Sequence, residues 1–403
     1  MSVTPSEAPE FPLPRTCPLD PPELYKSVRA SGGRHLVKMW DGKPSWIFTR
    51  YDDVRAILGD NRFTTVPGTP GYPMLSAARE AVLQLPPAFI RMDPPDHTRL
   101  RRMFTREFMV KRIEAMRPKI ARLIDDLYDK LAAKGQTVDL LSEFTLPMTS
   151  TVIAELLGIP PADREFFQEQ SQRKLMLDVS PDVPREASAK LLGYCEAVIR
   201  EKERDPEAHD DLLGRLIIEQ IRPGHMTREE AVIHADLLTL AGHETTANQI
   251  ALGTLNFLQN PDQKQKLVDD PSLLKGAIEE ILRYNSIVQF NGARVALEDV
   301  DVNGQIVRKG EAVFALILAA NRDPEIFDDP DRFDITRKAD NHVAFSYGVH
   351  QCLGQPLARL EMELVFSTIF TRFPDLRLAV PAEQIRFNEH HMVYGVKELP
   401  VDL

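Results

Sequence analysis

Apolar side chains recur at helical spacing through most of the middle of this chain. The pattern predicts helices at about residues 51–58, 96–105, 112–134, 142–158, 162–177, 184–204, 210–221 and 227–258. Strand-like apolar runs occur near residues 43–49 and otherwise mainly in the last third, at 293–308, 312–318 and 387–395. Residues 63–90 are irregular and rich in Pro and Gly, and a long loop in a compact chain usually serves a function. The sequence therefore predicts a mainly α protein with a small β part.

The longest predicted helix combines a buried pattern with polar residues at its centre. It begins with a capping box, Thr227 to Glu230, and is apolar on nearly all sides. Its middle reads AGHETT at residues 241–246, and a glycine inside a helix costs about 1 kcal/mol relative to alanine. Buried carboxylates and hydroxyls are costly without partners. Either a ligand lies against this turn, or the helix is kinked and its Thr hydroxyls bond to the preceding turn.

Composition narrows the class of protein. The chain has 403 residues, of which 43% are apolar and 27% charged, and this excludes general disorder. Its length alone favours two or three domains. A net charge of −11 argues against nucleic-acid binding, because phosphate contacts need a basic surface. Three scattered cysteines give no disulfide framework and indicate a reducing compartment, so we expect a cytoplasmic protein.

No membrane segment or nucleotide-binding fingerprint occurs in the sequence. The apolar runs are far shorter than the roughly 20 residues of a membrane-spanning helix, and residues 1–10 are expected to form a flexible tail without a signal-peptide pattern. No two glycines are separated by a single residue, which excludes the Rossmann fingerprint, and no P-loop is present. HETTA at residues 243–247 lacks the second histidine of the zinc-protease motif. Electrons for a redox reaction would therefore have to come from another protein.

The segment FSYGVHQCLG at residues 345–354 carries the most specific signal. It is a glycine-punctuated loop that leads into a helix, where a cysteine thiolate is stabilised by free N–H groups. Taken alone, Cys352 could equally be a buried structural cysteine. The segment resembles the haem-binding loop of the cytochrome P450 family, F-[GS]-x-G-x-[HR]-x-C-x-G. Three further family motifs occur in the family's order: AGHETT at 241–246, EILR at 280–283 and PDRF at 330–333.

The resemblance covers about residues 15–400, and at finer grain it points to soluble actinobacterial hydroxylases of the Streptomyces type. It implies the cytochrome P450 fold as one domain over residues 11–403. Haem b would lie between the long distal helix and the proximal cysteine loop, with the Cys352 thiolate as the metal ligand. Residues implied to contact the cofactor are His97, Arg101, Ala241, Gly242, Arg294, Phe345, Gly348, His350, Cys352 and Gly354. The His and Arg side chains among them would receive the two propionates.

Other roles are also implied by the resemblance. Glu280, Arg283 and Arg332 would form a buried structural cluster that supports the cysteine loop. Glu244 and Thr245 would be catalytic, because a carboxylate and a hydroxyl can relay protons. The expected substrate pocket comprises Leu237, Leu238, Ala241, Ile287, Val288, Gln289, Phe290 and Val393.

The implied function is a haem-thiolate monooxygenase that uses O2 to hydroxylate or epoxidise a largely hydrophobic small molecule, expected to be a secondary metabolite or a xenobiotic. A ferredoxin with its reductase would supply the electrons, since residues 91–122 hold ten Lys/Arg against four Asp/Glu. The expected docking residues are Arg102, Arg106, Lys111, Arg112 and Arg359. Two alternatives stay open: a haem-thiolate nitric-oxide reductase that uses NADH directly, and a haem-based gas sensor. The intact Glu244–Thr245 pair favours oxygen activation over both.

Overall fold

Helices make up most of the computed structural model, which describes residues 7–135 and 137–403. In chain order the α-helices are α1 (Glu23–Ala30), α2 (Tyr51–Gly59), α3 (Ala77–Leu83), α4 (Asp96–Thr105), α5 (Val110–Lys134), α6 (Leu146–Leu157), α7 (Arg164–Leu175), α8 (Asp182–Lys202), α9 (Leu212–Leu216), α10 (Arg228–Gln259), α11 (Pro261–Asp269), α12 (Leu274–Asn285), α13 (Ile317–Ala320), α14 (Gln355–Phe366) and α15 (Ile369–Arg372). No helix in the described part is long and apolar enough to cross a membrane. The mainly α prediction is confirmed.

The strands form a mixed sheet and two smaller ones. They are β1 (Arg34–Lys38), β2 (Pro44–Phe48), β3 (Phe63–Thr64), β4 (Val138–Asp139), β5 (Ala293–Ala296), β6 (Val300–Val302), β7 (Gln305–Val307), β8 (Ala312–Ala315), β9 (Arg377–Leu378) and β10 (Pro400–Asp402). The main sheet has the order β1-β2-β8-β5-β3, and β2 and β8 are parallel with Ile47 opposite Phe314. This sheet joins the beginning of the chain to its last third.

The predicted strand at residues 293–308 is divided in the structure, and the one at 387–395 is not a strand. Turns separate β5, β6 and β7 because Asn303 and Gly304 adopt left-handed backbone conformations between β6 and β7. Residues 387–395 make only isolated bridges, including Val288 to Val393. The sheet nevertheless matters for the site, since β5 carries Arg294 opposite Val313 of β8.

Helix α10 runs through the centre of the helical part and begins with the predicted capping box. The Thr227 side chain accepts from the Glu230 N–H, and the Glu230 carboxylate accepts from the Thr227 N–H at 2.8 Å. Its neighbours are α6, α7, α8, α12 and α14, so most of its residues are buried. The helix therefore spans the core, and its polar centre lies inside the protein.

The start of the described chain is bonded to β1. The Lys38 N–H donates to the Pro9 carbonyl at 2.8 Å, and the Phe11 N–H donates to the Lys38 carbonyl at 2.9 Å. Phe11 is buried against Phe290 and Phe314. Residues 9 and 10 thus differ from the flexible tail expected over residues 1–10, of which residues 1–6 lie outside the described part.

Candidate active site

The cysteine loop is closed by one hydrogen bond and by tight packing against α2. The Cys352 N–H donates to the Phe345 carbonyl at 2.8 Å. Gly348 has a φ of +73°, and a Cβ there would lie 2.7 Å from the carbonyl oxygen of Leu58. Its glycine is therefore required by the backbone of α2, and no approach of a cofactor is needed to explain it. The expected contact of Gly348 with the cofactor stays a prediction.

The Cys352 thiol lies at the N-terminus of α14. Part of the Cys352 side chain is accessible to solvent, but the surrounding protein still desolvates the thiol and thereby raises its pKa. The N–H groups of Gly354 and Gln355, together with the nearby guanidinium of Arg101, act in the opposite direction on that pKa. These donors favour the thiolate form, which is the form that ligates a metal. Gly354 thus serves the sulfur through its N–H.

A buried ion pair lies behind the loop. Arg283 Nε donates to Glu280 Oε2 at 2.7 Å, both side chains have no exposed surface, and further Arg283 N–H groups donate to the carbonyls of Asn321 and Pro330 at 2.8 Å. The prediction that Arg332 joins this pair is wrong, because its side chain is 58% exposed and only its carbonyl accepts from Arg283. The second arginine is Arg337, whose Nε lies 3.3 Å from Glu280 Oε1.

Arg359 also belongs to the support of the loop. Its guanidinium donates to both oxygens of Glu279 at 2.7 and 2.8 Å and lies 4.7 Å from the ring centroid of Phe345. His342 Nε2 contacts the same Glu279 carboxylate at 2.9 Å. Arg359 is thus already paired, and its expected role as a docking residue is not supported by this geometry. Phe345 packs at the cysteine loop as expected.

The centre of α10 opens on one side. Ala241 is exposed although most of this helix is buried, and Thr245 one turn later is partly exposed. The Thr245 hydroxyl donates to the Ala241 carbonyl at 2.7 Å, which is the back-bonding that the sequence left as one alternative. Because the single hydroxyl proton is used, the oxygen of Thr245 can only accept from a group in the open space.

Gly242 faces the opposite way. A Cβ at this position would lie 2.5 Å from Ile153 of α6, so the glycine is explained by close packing of α6 on α10. The expected contact of Gly242 with the cofactor stays a prediction. The neighbouring Thr149 hydroxyl of α6 donates to the His243 carbonyl at 2.9 Å.

Glu244 is a buried carboxyl group with little to stabilise a negative charge. It is 3% exposed, its Oε2 has no partner, and burial raises its pKa to about 8. Its Oε1 lies 3.6 Å from Nε2 of His391, a residue that sequence reasoning missed. Burial lowers the pKa of His391, so both groups are neutral near pH 7. No sequence pattern connects these residues, because they are 147 positions apart.

Cationic and imidazole side chains gather near the cysteine loop, and no carboxylate of residues 7–135 or 137–403 forms an ion pair with them. The rings of His97 and His350 lie 4.4 Å apart between centroids, and three of their four nitrogens are buried without a partner. Burial and then Arg294 lower the pKa of His350 to about 3. Arg294 is itself 3% exposed and donates only to carbonyls of Asn291 and Ala293. Arg101 donates to the Gln351 carbonyl at 2.5 Å.

This cradle fits the two propionates of a haem. Unpartnered imidazole nitrogens and unpaired guanidinium groups are costly to bury, and charge-assisted bonds to carboxylates would satisfy them. Sequence reasoning missed one member, Arg91, which is 7% exposed and also acts on the pKa of His350. His350 of the cradle lies two residues before Cys352 on the same loop, so one flat, dianionic ligand can engage both.

The expected substrate pocket stays a prediction. Gln289 accepts from Arg15 at 2.9 Å and donates to the His391 carbonyl, and Phe290 packs edge-to-face on Phe11. These two side chains therefore already have partners within the protein. The remaining apolar candidates are Leu237, Leu238, Ile287, Val288 and Val393. They are buried or partly buried, and Val288 and Val393 form a bridge.

Some cations of the expected docking surface are paired with carboxylates and others are not. Arg106 pairs with Glu219 at 3.0 Å, and Arg112 pairs with Glu107 at 3.2 Å. Arg102 and Lys111 are exposed, and no carboxylate of the described residues lies within ion-pair distance of them. The cations that stay available at this surface are therefore Arg102 and Lys111.

The chain is similar to well-defined proteins over nearly its whole length. The Cytochrome P450 family model matches residues 20–401. Cytochrome P450-SU2 of Streptomyces griseolus is 45% identical, covering 96% of this chain and 94% of that protein. Vitamin D3 dihydroxylase of the same organism is 43% identical, covering 98% and 97%.

Solved structures agree with this similarity. The mycinamicin VIII C21 methyl hydroxylase of Micromonospora griseorubida, bound to mycinamicin VIII, superposes with a TM-score of 0.93 at 39% identity and covers 98% of this chain and all of that chain. The helix order, the cysteine loop at a helix N-terminus and these relatives lead to one assignment. The chain belongs to the cytochrome P450 family, and it is a monooxygenase of that family.

Proposed function

We propose that this monooxygenase hydroxylates or epoxidises a largely hydrophobic small molecule, with O2 as the oxygen source and a separate ferredoxin as the electron donor. The observation that carries the proposal is the buried carboxyl group of Glu244 next to Thr245, which is partly exposed on the open side of α10. A buried acid whose pKa is raised to about 8 holds a proton at neutral pH. Neither a gas sensor nor a direct NADH-dependent reductase needs such a pair.

Cys352, His97, Arg101, Arg294 and His350 would hold the cofactor. We infer haem b, which is held without a covalent bond between protein and porphyrin. The loop has no second cysteine, besides the expected iron ligand Cys352, to which a porphyrin could be bonded. When bound, haem activates O2, and electron donation from the thiolate favours cleavage of the O–O bond. The two propionates would occupy the cradle, where they would be the carboxylate partners of its imidazoles and guanidinium groups.

Glu244 and Thr245 would deliver protons to the reacting oxygen. The Glu244 Oε2 is buried without a partner, and we propose its proton as the one that is delivered. The Thr245 oxygen would accept a hydrogen bond from a water in the open space, since its own proton is committed to the Ala241 carbonyl. Nε2 of His391 lies 3.6 Å from the other oxygen of the Glu244 carboxyl group. The proposed relay would pass one proton from Glu244 to the open face of α10, where Thr245 is partly exposed.

The substrate would lie against apolar side chains of α10 and of the segment after α12. Leu237, Ala241, Ile287 and Val393 give this face a hydrophobic character, which favours an apolar ligand. Similar proteins are named for vitamin D3 and for mycinamicin VIII. We infer a substrate of comparable size and polarity.

Arg102 and Lys111 would guide the electron donor, because an acidic ferredoxin is steered by unpaired cations. Three free cysteines, Cys17, Cys195 and Cys352, support a reducing, cytoplasmic location. The rate of reduction by a ferredoxin should fall as salt rises, and Arg102→Gln should weaken that dependence. A rate independent of salt would contradict the docking surface.

An isotope experiment tests the proposed reaction. Haem-loaded protein is incubated with a ferredoxin, its reductase, NADPH, ¹⁸O2 and either vitamin D3 or mycinamicin VIII. We expect one ¹⁸O atom in a product and no consumption of nitric oxide with NADH alone. Rapid NADH-dependent loss of nitric oxide without a ferredoxin would instead identify a reductase.

A further inference from the structure

The His391 ring lies between α10 and the last turn of α7, with an oxygen atom near each of its nitrogens. Its Nε2 is 3.3 Å from the carbonyl oxygen of Gln172, and its Nδ1 is 3.1 Å from the carbonyl oxygen of Val393. The backbone fixes this position, because the Met392 N–H donates to the Leu175 carbonyl at 3.2 Å. Both ring nitrogens therefore face a group that accepts hydrogen bonds.

These contacts suit a ring that carries a second proton for short periods. A neutral imidazole has one N–H and can donate to only one of the two carbonyls, whereas an imidazolium ring donates from both nitrogens. Gln172 belongs to the last turn of α7, where carbonyls lack helical partners and the helix dipole favours a positive charge. Burial lowers the pKa of His391, so the ring is neutral between such events. It can thus accept a proton and release it again.

Glu244 has one oxygen directed to this ring and one without a partner. Its Oε1 is 3.6 Å from His391 Nε2, and its Oε2 is buried and unpartnered. The resting distance is too long for a hydrogen bond, and an approach of about 0.7 Å would form one. A carboxyl group that accepts a proton on one oxygen can release a proton from the other. The Glu244 side chain can therefore pass protons in one direction.

The proposed reaction requires that Glu244 be protonated again after each delivery. One O2, two electrons and two protons are consumed for each oxygen atom inserted, and both protons leave in the water that forms. A Glu244 that has lost its proton is a buried carboxylate, which is unfavourable without a cationic partner. Among residues 7–135 and 137–403, His391 is the ionisable side chain within ion-pair distance of Glu244. The preceding residue, His390, is exposed, so His391 lies one residue from the surface.

We propose that His391 returns the proton to Glu244, taking it from water near the surface and passing it from Nε2 to Glu244 Oε1. In each transfer an N–H bond of the imidazolium ring breaks, an O–H bond forms on the carboxylate, and both groups become neutral. This inference rests on the proposed function and deepens it, because it adds the residue that recharges the acid. His391 acts through Glu244 and is a positioning residue for the proton.

The exchange of the Glu244 carboxyl proton with D2O tests this path directly. Infrared spectroscopy of haem-loaded protein follows the C=O band of the protonated acid, which is assigned by its loss in Glu244→Gln. Glu361 of α14 is an internal control, because it is a second buried carboxyl group and neither of its oxygens has a partner. Its band is assigned in the same way with Glu361→Gln.

His391→Gln should slow the exchange at Glu244 by about ten-fold or more, because an amide can donate to the Gln172 carbonyl but carries no titrating proton. The exchange at Glu361 should be the same in this variant and in wild type. His390→Gln changes the exposed neighbouring histidine and should leave both exchange rates unchanged. His391→Asn is the second variant and should behave like His391→Gln.

Turnover separates proton supply from a structural role. The substrate is whichever of vitamin D3 and mycinamicin VIII the wild-type protein converts. With O2, NADPH and a ferredoxin system, product formation by His391→Gln should fall by about ten-fold. With hydrogen peroxide, which brings the electrons and both protons itself, the variant should match wild type. A distorted site would slow both reactions equally.

Four results would overturn the inference. They are a wild-type spectrum without a Glu244 acid band, an unchanged exchange rate in His391→Gln, equal slowing of the O2-driven and peroxide-driven reactions, and failure of both His391 variants to fold, which would make the residue structural. The ¹⁸O2 experiment on wild type separates the two levels. Labelled product with unchanged exchange in His391→Gln sinks this inference alone, whereas the absence of labelled product sinks the proposed function.

Discussion

The support of the cysteine loop and the centre of α10 differ in how completely their polar groups are satisfied. Behind the loop, both oxygens of Glu280 accept from Arg283, and Oε1 also accepts from the Asp334 N–H at 2.9 Å. On α10, Glu244 has an unpartnered oxygen and a pKa raised to about 8. A satisfied buried network fixes a geometry, whereas a buried acid without a partner retains its proton at neutral pH. The first region supports the cysteine loop, and the second suits the proton transfer that we propose.

Glu280→Ala should have the largest effect, because it removes the carboxylate at the centre of the hydrogen-bonded network behind the loop. Removing the carboxylate leaves Arg283 buried with an uncompensated charge, which costs about 3–5 kcal/mol. We expect little haem-loaded protein after expression and purification, measured as the ratio of Soret to protein absorbance. Normal haem content in the purified variant would contradict the structural role of the pair.

A matched pair of arginine variants sharpens the same region. Arg337→Ala removes a side chain that is 11% exposed and contacts Glu280, whereas Arg332→Ala removes one that is 58% exposed. Arg337→Ala should lower the free energy of unfolding by about 1–3 kcal/mol, and Arg332→Ala by less than about 0.5 kcal/mol. Denaturant unfolding measures both. If Arg332→Ala lowered the free energy of unfolding more than Arg337→Ala, Arg332 would belong to the buried cluster, as the sequence predicted.

Thr245→Ala tests the unsatisfied region without disturbing the satisfied one. The hydroxyl oxygen that accepts from a proton-donating water disappears, while the small side chain still fits the helix. NADPH consumption through the ferredoxin should continue, but product per NADPH should fall by roughly ten-fold or more and hydrogen peroxide should rise, since positioned proton transfer contributes about 10²–10⁴-fold. The control is Thr239→Val, which changes a buried position of the same helix that does not face the open space. Unchanged coupling of product to NADPH in Thr245→Ala would argue against the relay.

Glu244→Gln should produce the smallest but most diagnostic change, a change in pH dependence. The folded pKa of about 8 lies above the usual value of 4.5, so folded protein retains a proton that the unfolded chain releases. Wild-type stability should therefore fall, relative to Glu244→Gln, as pH rises from about 5 to about 8. Product formation by wild type should decline above about pH 8, and the variant should be slower and flat. Parallel pH profiles would show that Glu244 carries no titrating proton.

For the satisfied region, the sequence predicted a buried cluster behind the loop but not all of its members. For the unsatisfied region, it predicted Glu244 and Thr245 but not their contacts. Short motifs located Cys352, Glu280 and Arg283, because neighbours on one helix turn or loop are fixed by local geometry. Arg337 was missed since it reaches Glu280 from a loop 57 residues away. His391 was missed for the same reason, because tertiary packing alone brings it to Glu244. Packing against Ile153 and Leu58 explains why glycine stands at positions 242 and 348, and the predicted contacts of Gly242 and Gly348 with the cofactor stay predictions.

The carbon monoxide difference spectrum of the dithionite-reduced protein tests the central claim most directly. Cys352, at the N-terminus of α14 and surrounded by N–H donors, should bind haem iron as a thiolate. We predict a strongly red-shifted Soret band in wild type and its loss in Cys352→Ala. A shorter-wavelength band in undamaged wild-type protein, or the red-shifted band persisting in Cys352→Ala, would contradict the account.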